Sequence, residues 1–377
     1  MYDVVISGAG PSGSHCAKIL AEAGYRVALI EKNTNWRKPC GGSVSSRVIK
    51  LYPEMKKLNT PKIVGAKLYS AEYHLLEYNR ADNLYSTVVD RLEFDNLIRN
   101  VAIDAGAELF DRNFSFDFIS KEGNFIGIKT KSNEGVKEFF GKILILADGM
   151  GSRLAIKSGL RSKWKVEDIT IAKAAIFEGE NKLDEKYIRV YFQHYKGYAW
   201  IFPMGEQQFN IGCGTSASGN LKHNVNELFN EFLKEPKIKE LIPDLNCKVI
   251  WSGAYPLPAN GVLVNSLFAN NLMLIGDTAG FVSPINGEGI YQSIFSAGAA
   301  AEVAIEALEL QDYSITILRK YKKHPNVKQI IRNFKAKLAA RDFFSEDQGK
   351  NLNEMFERAE KDKVYRDKVL GMFFSKD

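Results

Sequence analysis

A glycine-rich turn near the start of the chain has the residue types and spacing of a dinucleotide-phosphate site. The turn Gly8-Ala9-Gly10-Pro11-Ser12-Gly13 lies between an apolar run at 4–6 and apolar residues at helical spacing, which predicts a strand, a turn and a helix. Gly8 permits the turn, Gly10 lets backbone approach a pyrophosphate, and Gly13 lets helix and strand pack closely. Glu31 ends the next predicted strand, 18 residues beyond Gly13, where a carboxylate can accept a ribose hydroxyl. These residues predict a dinucleotide with a free 2′-hydroxyl.

Two later segments favour FAD over NAD as that dinucleotide. An apolar run over 142–147 ends in Asp148-Gly149, and another over 271–275 ends in Gly276-Asp277. Each predicts a strand end where small residues admit a ligand to the backbone, with a carboxylate beside it. A helix predicted to begin near Tyr291 would hold negative charge on a reduced flavin at its N-terminus. The order and spacing of the three segments predict an FAD enzyme.

The elements that position these residues need more than one core. The chain has 377 residues with 45% apolar content, and single cores stop growing at roughly 250–300 residues. It holds no apolar run of about 18 residues, which a spanning helix needs. A strand predicted at the first residues leaves no room for a signal peptide, so we expect a cytoplasmic protein. The cysteines (Cys16, Cys40, Cys213 and Cys247) and five histidines lack metal-ligand spacing, so we predict no metal and no structural disulfide.

The cofactor segments are separated by other sequence, so we expect discontinuous domains. Residues 1–60, 91–160 and 261–310 are predicted to form the FAD-binding domain, residues 61–90 and 161–260 the substrate domain, and residues 311–377 a C-terminal helical segment. Alternating runs over 187–194, 198–204 and 209–213 predict antiparallel strands. We expect their sheet to cover the flavin.

One of these strands carries three large rings at a spacing of two residues. Tyr198, Trp200 and Phe202 share one face of the predicted strand, with Ala199 and Ile201 on the other. Such a face forms either a layer of core or the wall of an apolar tunnel. Spacing alone leaves both interpretations open.

The chain resembles two groups of flavoproteins through these motifs. The three-part FAD signature resembles the superfamily of p-hydroxybenzoate hydroxylase over roughly residues 1–310. The segment 197–203 resembles the tyrosine-x-tryptophan-x-phenylalanine-proline motif of the geranylgeranyl reductases, which lines a polyprenyl cavity in that family. Pro39-Cys40-Gly41-Gly42 resembles the cysteine followed by small residues of the same family. A lone cysteine beside glycines is most often structural, but the resemblance makes Cys40 a candidate on the substrate side.

The resemblance implies a fold and a set of site residues. The expected fold is α/β (α+β), with a Rossmann-like FAD-binding domain, an antiparallel-sheet substrate domain and C-terminal helices, as in p-hydroxybenzoate hydroxylase. Asp277 is expected to bind the ribityl chain, Arg91 to lie near the flavin unless it forms an ordinary helix-start salt bridge, and Phe114 to mark the adenine contact. The cofactor-binding residues expected are Gly8, Gly10, Ser12, Gly13, Glu31, Lys32, Cys40, Gly41, Gly42, Arg91, Phe114, Asp148, Gly149, Gly276, Asp277, Pro284, Gly287, Gly289 and Ile290. The catalytic candidates are Cys40, Tyr198 and Trp200, and the substrate contacts are Tyr198, Trp200 and Phe202.

The function implied is reduction of isoprenoid C=C bonds of a geranylgeranyl or related polyprenyl lipid by hydride transfer from reduced FAD. Two alternatives remain open: a flavin monooxygenase or halogenase on the same fold, and a prenyl-lipid carrier without catalysis. No second glycine fingerprint is followed by a ribose acid, so the electron donor, NADPH or ferredoxin, is expected to be external.

A basic segment near the C-terminus leaves one further question open. Between Arg319 and Arg341 there are seven more lysines and arginines and no acidic residue, and apolar residues recur there at helical spacing. The segment is either a solvated helix packed on the body or a peripheral surface for anionic lipid headgroups. A net charge of +6 fits both, and nucleic acid is not expected, because no binding module accompanies the charge.

Overall fold

The computed structural model describes residues 1–81, 84–193, 197–220, 224–243, 247–262, 264–345 and 350–374. Its strands are β1 Tyr2–Ser7, β2 Val27–Ile30, β3 Ser43–Val44, β4 Gly65–Tyr69, β5 Leu75–Asn79, β6 Thr87–Val88, β7 Glu108–Phe110, β8 Phe114–Lys121, β9 Asn124–Ser132, β10 Gly135–Leu146, β11 Ile169–Glu178, β12 Tyr187–Phe192, β13 Gly197–Gly205, β14 Gln208–Ser216, β15 Lys248–Pro258, β16 Phe268–Ala269 and β17 Leu272–Leu274. Its helices are α1 Pro11–Glu22, α2 Ser46–Leu51, α3 Arg91–Asp104, α4 Arg153–Lys157, α5 Ala217–Asn220, α6 Val225–Lys234, α7 Pro236–Leu241, α8 Ile290–Leu310, α9 Ile315–Leu318, α10 Lys320–Lys323, α11 Pro325–Ser345, α12 Lys350–Lys361 and α13 Lys363–Phe373. Within the described ranges, none of these helices combines the length and apolarity needed to cross a membrane.

The chain divides into two compact units, each built from three separate stretches. Unit 1 comprises Met1–Trp36, Phe94–Trp164 and Pro258–Lys335, and unit 2 comprises Arg37–Glu93, Lys165–Leu257 and Ala336–Asp377. Both units are discontinuous. Residues 37–60 and 336–377 fall in unit 2, and residues 311–335 fall in unit 1. The functional assignment of the domains stays a prediction.

The sheet of unit 1 has the parallel core of a dinucleotide-binding fold. Its strands run in the order β16-β17-β10-β1-β2-β7, and β17, β10, β1, β2 and β7 are parallel to one another. Apolar residues fill β2 and the centre of β1 because helices and further strands cover the sheet, and Val4, Val5 and Ile6 have no exposed surface. The fold class predicted from the sequence is therefore confirmed in its first part.

One strand of unit 1 is longer than its apolar run indicated. β10 begins at Gly135, and its first half pairs antiparallel with β9, which in turn pairs with β8. The half over 135–140 is exposed except for Phe139, so it lacks the continuous apolar run that marks the buried half. α8 begins at Ile290, one residue before the predicted start, and packs beside α1.

The sheet of unit 2 separates its two faces by strand period. Its order is β15-β11-β14-β13-β12-β4-β5; the pairs from β11 to β12 and the pair β4 and β5 are antiparallel, and β12 and β4 are parallel. Ala199 and Ile201 of β13 pack toward α6 in one apolar cluster, whereas Trp200 and Phe202 belong to a second cluster on the other face. The predicted alternation along 198–204 is thereby confirmed. The run predicted over 187–194 becomes β12, which ends at Phe192, and residue 194 lies outside the described residues.

The last two helices belong to unit 2 and pack on its sheet. Phe374 stacks on Tyr78 of β5 with ring centroids 4.1 Å apart, and Phe373 lies 5.3 Å from Phe192 of β12. Glu360 of α12 accepts hydrogen bonds from the Leu75 amide at 2.7 Å and binds the His74 ring at 2.9 Å. The helices α12 and α13 therefore pack on this sheet.

Candidate functional site

The glycine turn of unit 1 forms a cradle at the N-terminus of α1. Gly8 has φ +102°, and a Cβ there would lie 2.5 Å from the Ala147 carbonyl carbon. A Cβ on Gly13 would overlap the Gly8 carbonyl, so the helix packs on the turn only without a side chain. By contrast, a Cβ on Gly10 would meet no described atom within 4 Å. Open space next to a helix N-terminus, at the residue that should approach a pyrophosphate, fits a bound dinucleotide phosphate.

Glu31 lies beside this turn at the end of β2, as the spacing predicted. Its Oε2 accepts a hydrogen bond from the Ala9 amide at 2.8 Å, and its Oε1 accepts one from the Asn33 amide at 3.0 Å. Each carboxylate oxygen keeps a further lone pair for a ribose hydroxyl. The ammonium of Lys32 lies 5.4 Å from the centre of the Trp36 ring.

Arg99 supports the turn and was missed by the sequence analysis. Its side chain is 5% exposed, and its Nε donates to the Ala9 carbonyl at 3.3 Å. Its guanidinium also binds the side chain of Asn96 and donates to the Thr34 carbonyl at 3.5 Å. One side chain thus ties the glycine turn to the segment after β2. The sequence signal that could have identified Arg99 is an arginine that follows Ile98 on the buried side of α3.

The second and third FAD segments meet at the same edge of the unit 1 sheet. β10 and β17 are parallel neighbours, so Asp148-Gly149 and Gly276-Asp277 follow strand ends that lie side by side. The Gly149 amide donates to Thr278 Oγ1 at 2.8 Å, which links the two segments directly. A Cβ on Gly276 would lie 2.6 Å from Ser12 Oγ, which brings the first segment to the same place.

Asp148 carries an unsatisfied buried oxygen at this edge. Its Oδ1 is buried without a hydrogen-bond partner among the described residues. Burial raises the pKa of this carboxyl to about 6, against a hydrogen bond from Ser152 and the charge of Arg161, which lower it. A buried acceptor without a partner is costly, so it fits a donor supplied by a ligand.

The turn before α8 is closed by its own backbone. The Ser283 amide donates to the Glu288 carbonyl at 2.8 Å, and the Gly287 amide, at φ +61°, donates to the Ser283 carbonyl at 3.0 Å. Pro284 lies inside this turn, and Ile290 begins α8 with 7% exposure. A Cβ on Gly289 would lie 3.3 Å from Asp277 Oδ1, so a bare backbone lies next to that carboxylate. This arrangement fits close approach by a flat ring.

Two further predicted cofactor residues have contrasting surroundings. Phe114 begins β8, is 39% exposed, and has the Arg153 guanidinium 5.6 Å from its ring centre. The preceding Asn113 donates its amide to the Glu31 carbonyl at 2.8 Å, so Phe114 lies near the ribose side of the site. Arg91 is the first residue of α3 and is 5% exposed. The roles of both stay predictions.

In unit 2 the aromatic motif and the cysteine loop are in contact. The rings of Tyr198 and Trp200 are 5.8 Å apart, and those of Trp200 and Phe202 are 6.2 Å apart. A Cβ on Gly41 would lie 2.7 Å from Phe202 Cε2 and 3.2 Å from Trp200 Nε1, so the loop backbone lies directly on the rings. Cys40 is partly exposed, and its Sγ accepts a hydrogen bond from the Gly42 amide at 3.3 Å.

Two residues of β14 shape this aromatic row, and sequence reasoning missed both. Asn210 Oδ1 accepts the Trp200 indole N–H at 2.8 Å. Gly212 faces the same ring, where a Cβ would lie 2.5 Å from Trp200 Cε2 and from the Lys173 carbonyl oxygen. A glycine inside a strand indicates that another group approaches its backbone closely. At Gly212 that group is the Trp200 ring of β13, which the sequence around Gly212 does not reveal. Over the ranges that the structure describes, no three His, Cys, Asp or Glu side chains group in a way that could hold a metal ion.

Known proteins are similar to this chain over most of its length. A family model described as FAD binding domain matches residues 1–309. Digeranylgeranylglycerophospholipid reductase 1 of Methanosphaera stadtmanae is 32% identical over 329 residues, covering 85% of this chain and 79% of the relative. Digeranylgeranylglycerophospholipid reductase 2 of Methanopyrus kandleri is 29% identical, covering 97% and 92%. A solved structure of a geranylgeranyl bacteriochlorophyll reductase-like protein from Thermoplasma acidophilum superposes with a TM-score of 0.86 at 25% identity, covering 100% of this chain and 96% of that one.

Proposed function

Because the chain belongs to the FAD binding domain family and, within it, to the geranylgeranyl reductases, we propose that it hydrogenates isoprenoid C=C bonds of a geranylgeranyl lipid. It is an FAD-dependent oxidoreductase. The observation that carries the substrate class is the row of Tyr198, Trp200 and Phe202, against which the Cys40 loop packs. Three adjoining rings offer an apolar, water-poor surface that suits a polyprenyl chain.

The mechanism proposed assigns separate tasks to the two sets of residues. Glu31, the glycine turn and the Asp277 segment of unit 1 bind and orient FAD, which in its reduced form supplies a hydride. An isolated alkene has no carbonyl to polarise, so the reaction depends on holding the double bond in place and excluding water. The faces of Tyr198 and Trp200 stabilise positive charge on the substrate carbon by about 0.5–2 kcal/mol. Cys40 is proposed to hold a proton at Sγ or to shape the pocket beside that carbon.

The decisive experiment is anaerobic. The FAD-loaded protein is reduced chemically and mixed with a geranylgeranyl phospholipid, and flavin reoxidation is followed together with the mass of the lipid. Reoxidation matched by two added hydrogens per turnover supports the reductase. Reoxidation only by oxygen with an aromatic substrate would replace it with a monooxygenase, and lipid binding by a flavin-free protein would replace it with a carrier.

A variant of Trp200 tests the aromatic row itself. Trp200→Leu removes the central ring, so we expect lipid binding within about threefold of wild type and a large loss of turnover. Phe140→Leu is the control, because Phe140 is 38% exposed in the first half of β10 in unit 1. Unchanged turnover in Trp200→Leu would contradict the proposed role of the ring.

The electron donor and the lipid source are further parts of the proposal. We propose an external donor, NADPH or ferredoxin, and anaerobic reduction of the bound FAD by each distinguishes them. We also propose that the basic segment 319–341 meets anionic headgroups, supported by the exposed side chains of Lys322, Lys323 and Lys328. The alternative, a solvated helix packed on the body of the protein, is supported by the burial of Ile330 and Phe334. Co-sedimentation with anionic and neutral vesicles at two salt concentrations separates the two.

A further inference from the structure

A single buried amide bridges the aromatic row and the cysteine loop within unit 2. Asn210 lies on β14 opposite Phe202 of β13 and is 3% exposed. Its Oδ1 accepts the Trp200 indole N–H at 2.8 Å, and its Nδ2 donates to the Cys40 carbonyl at 2.9 Å. The same side chain therefore contacts the central ring of the row and the residue that the proposed mechanism places beside the substrate.

The chemistry of the two partners fixes how this amide is oriented. The indole N–H is only a donor, and a backbone carbonyl is only an acceptor. Asn210 must present its oxygen to Trp200 and its NH₂ to Cys40, and the reverse orientation would break both hydrogen bonds. The planar amide carries its donor and its acceptor on two separate atoms in a fixed relation. Aspartate keeps the acceptor but directs a second oxygen at the Cys40 carbonyl.

We propose that Asn210 is a positioning residue that locks the Cys40 loop to the Trp200 ring, so that the thiol and the aromatic row keep one mutual geometry. The inference rests on the proposed function for its catalytic consequence. The position of Gly41 supports it, because its backbone lies against the rings of Trp200 and Phe202. The Val89 amide donates to the Gly42 carbonyl at 2.9 Å and holds the loop beside β6, and the Asn210 amide adds the directional bond that holds it to the rings.

The reactivity of the Cys40 thiol reports this lock independently of turnover. All four cysteines lie in the described part of the chain; Cys16 and Cys213 are fully buried, so Cys247→Ser leaves Cys40 as the accessible thiol. In FAD-loaded protein of that background, we expect Asn210→Asp to raise the rate of alkylation by iodoacetamide at least about fivefold. Asn226→Asp is the control, because this exposed amide lies in the first turn of α6, where an acid is favourable, and its oxygen accepts from the Lys173 ammonium.

If the inference is right, the Trp200 ring affects the reactivity of the Cys40 thiol through the Asn210 amide. Trp200→Phe removes the indole donor but keeps a ring, so it should also raise the alkylation rate. Combined with Asn210→Asp it should add little, because the bridge is already broken. With lipid substrate, Asn210→Asp should lower kcat about tenfold to a hundredfold while KM stays within about threefold.

The outcomes separate this inference from the proposed function. Additive effects of the two variants, or an alkylation rate in Asn210→Asp equal to that of Asn226→Asp, overturn the lock. If Asn210→Asp does not fold, a wild-type alkylation rate in Trp200→Phe alone overturns it. If the wild-type protein reduces no lipid but the effects are non-additive, the proposed function fails and the lock stands. If the wild-type protein reduces lipid and Asn210→Asp matches it in alkylation rate and kcat, the proposed function stands and the lock fails.

Discussion

Adding one methyl group at Gly212 should displace the central ring of the aromatic row without touching the predicted FAD residues of unit 1. The new Cβ would lie 2.5 Å from Trp200 Cε2 and from the Lys173 carbonyl oxygen, and closer still to Trp200 Cζ2. Ordinary carbon contacts begin near 3.5 Å, so the ring or the strand must move by about 1 Å. Overpacking of this size costs about 1–3 kcal/mol of unfolding free energy.

The expected functional loss follows from the same displacement. A shift of about 1 Å in a group that positions the reacting bond can lower turnover about a hundredfold. Gly214→Ala is a matched control on the same strand, since its nearest Cβ neighbour would be Thr170 Cγ2 at 3.6 Å, an ordinary contact. Bound FAD per protein should equal the wild-type value in both variants.

The assay combines chemical unfolding, FAD content and single-turnover lipid reduction. Gly212→Ala should keep its FAD, unfold at lower denaturant concentration and reduce lipid about a hundredfold more slowly, whereas Gly214→Ala should match the wild type. Equal lipid reduction by the two variants would refute the role given to Trp200. Loss of FAD from Gly212→Ala alone would refute the separation of cofactor and ring residues.

Four further predictions concern unit 1. Gly10→Ala should leave the unfolding free energy of the flavin-free protein within about 1 kcal/mol of wild type, because the φ of −75° at Gly10 suits alanine. It should nevertheless raise the FAD Kd at least about tenfold, and an unchanged Kd would contradict the phosphate cradle. Arg99→Met removes one of the two hydrogen bonds that the Ala9 carbonyl accepts, the other coming from Ser14 Oγ at 3.0 Å, so it should raise the FAD Kd about fivefold. An unchanged Kd in titration would refute this. Burial lowers the pKa of His15 from 6.5 to about 4, so stability from this residue is lost as pH falls across that range, and His15→Gln should flatten this dependence. Burial raises the pKa of Asp148 from 3.8 to about 6, so stability falls as pH rises across that range, and Asp148→Asn should remove this fall. Urea unfolding of flavin-free protein across this pH range tests both pH dependences, and each should change the unfolding free energy by about 2–3 kcal/mol. If the unfolding free energies of the two variants changed with pH in the same way, the opposite signs predicted for His15 and Asp148 would be wrong.

Local patterns account for the parts of the fold that the sequence predicted. The strand, turn and helix around Gly8 and the position of Glu31 depend on residues within about thirty positions of each other, where period and turn chemistry are informative. The faces of β13 follow from a period of two, which places Trp200 and Ile201 in different clusters. Both features could be predicted because they need no knowledge of distant partners.

Contacts between distant segments account for what was missed. Arg99 supports a carbonyl 90 residues earlier, and Asn210 reaches the Cys40 carbonyl 170 residues away. Neither side chain belongs to a short motif, and each has its role only because strands and helices bring those segments together. The packing of α13 on β5 is of the same kind, since the stacking of Phe374 on Tyr78 leaves no local trace.

The interleaving of the two units along the chain has a consequence for how the protein is made. Each unit needs a stretch from the early, middle and late parts of the sequence, so β1 waits for β10 and β17, and β5 waits for α12 and α13. Neither sheet can close while the nascent chain is still growing through its middle, and apolar strands emerge from the ribosome well before their partners. Long-range pairing of this kind folds slowly and exposes aggregation-prone edges in the meantime. We therefore expect its yield in cells to depend on chaperones and on temperature during synthesis, even where the finished protein is stable.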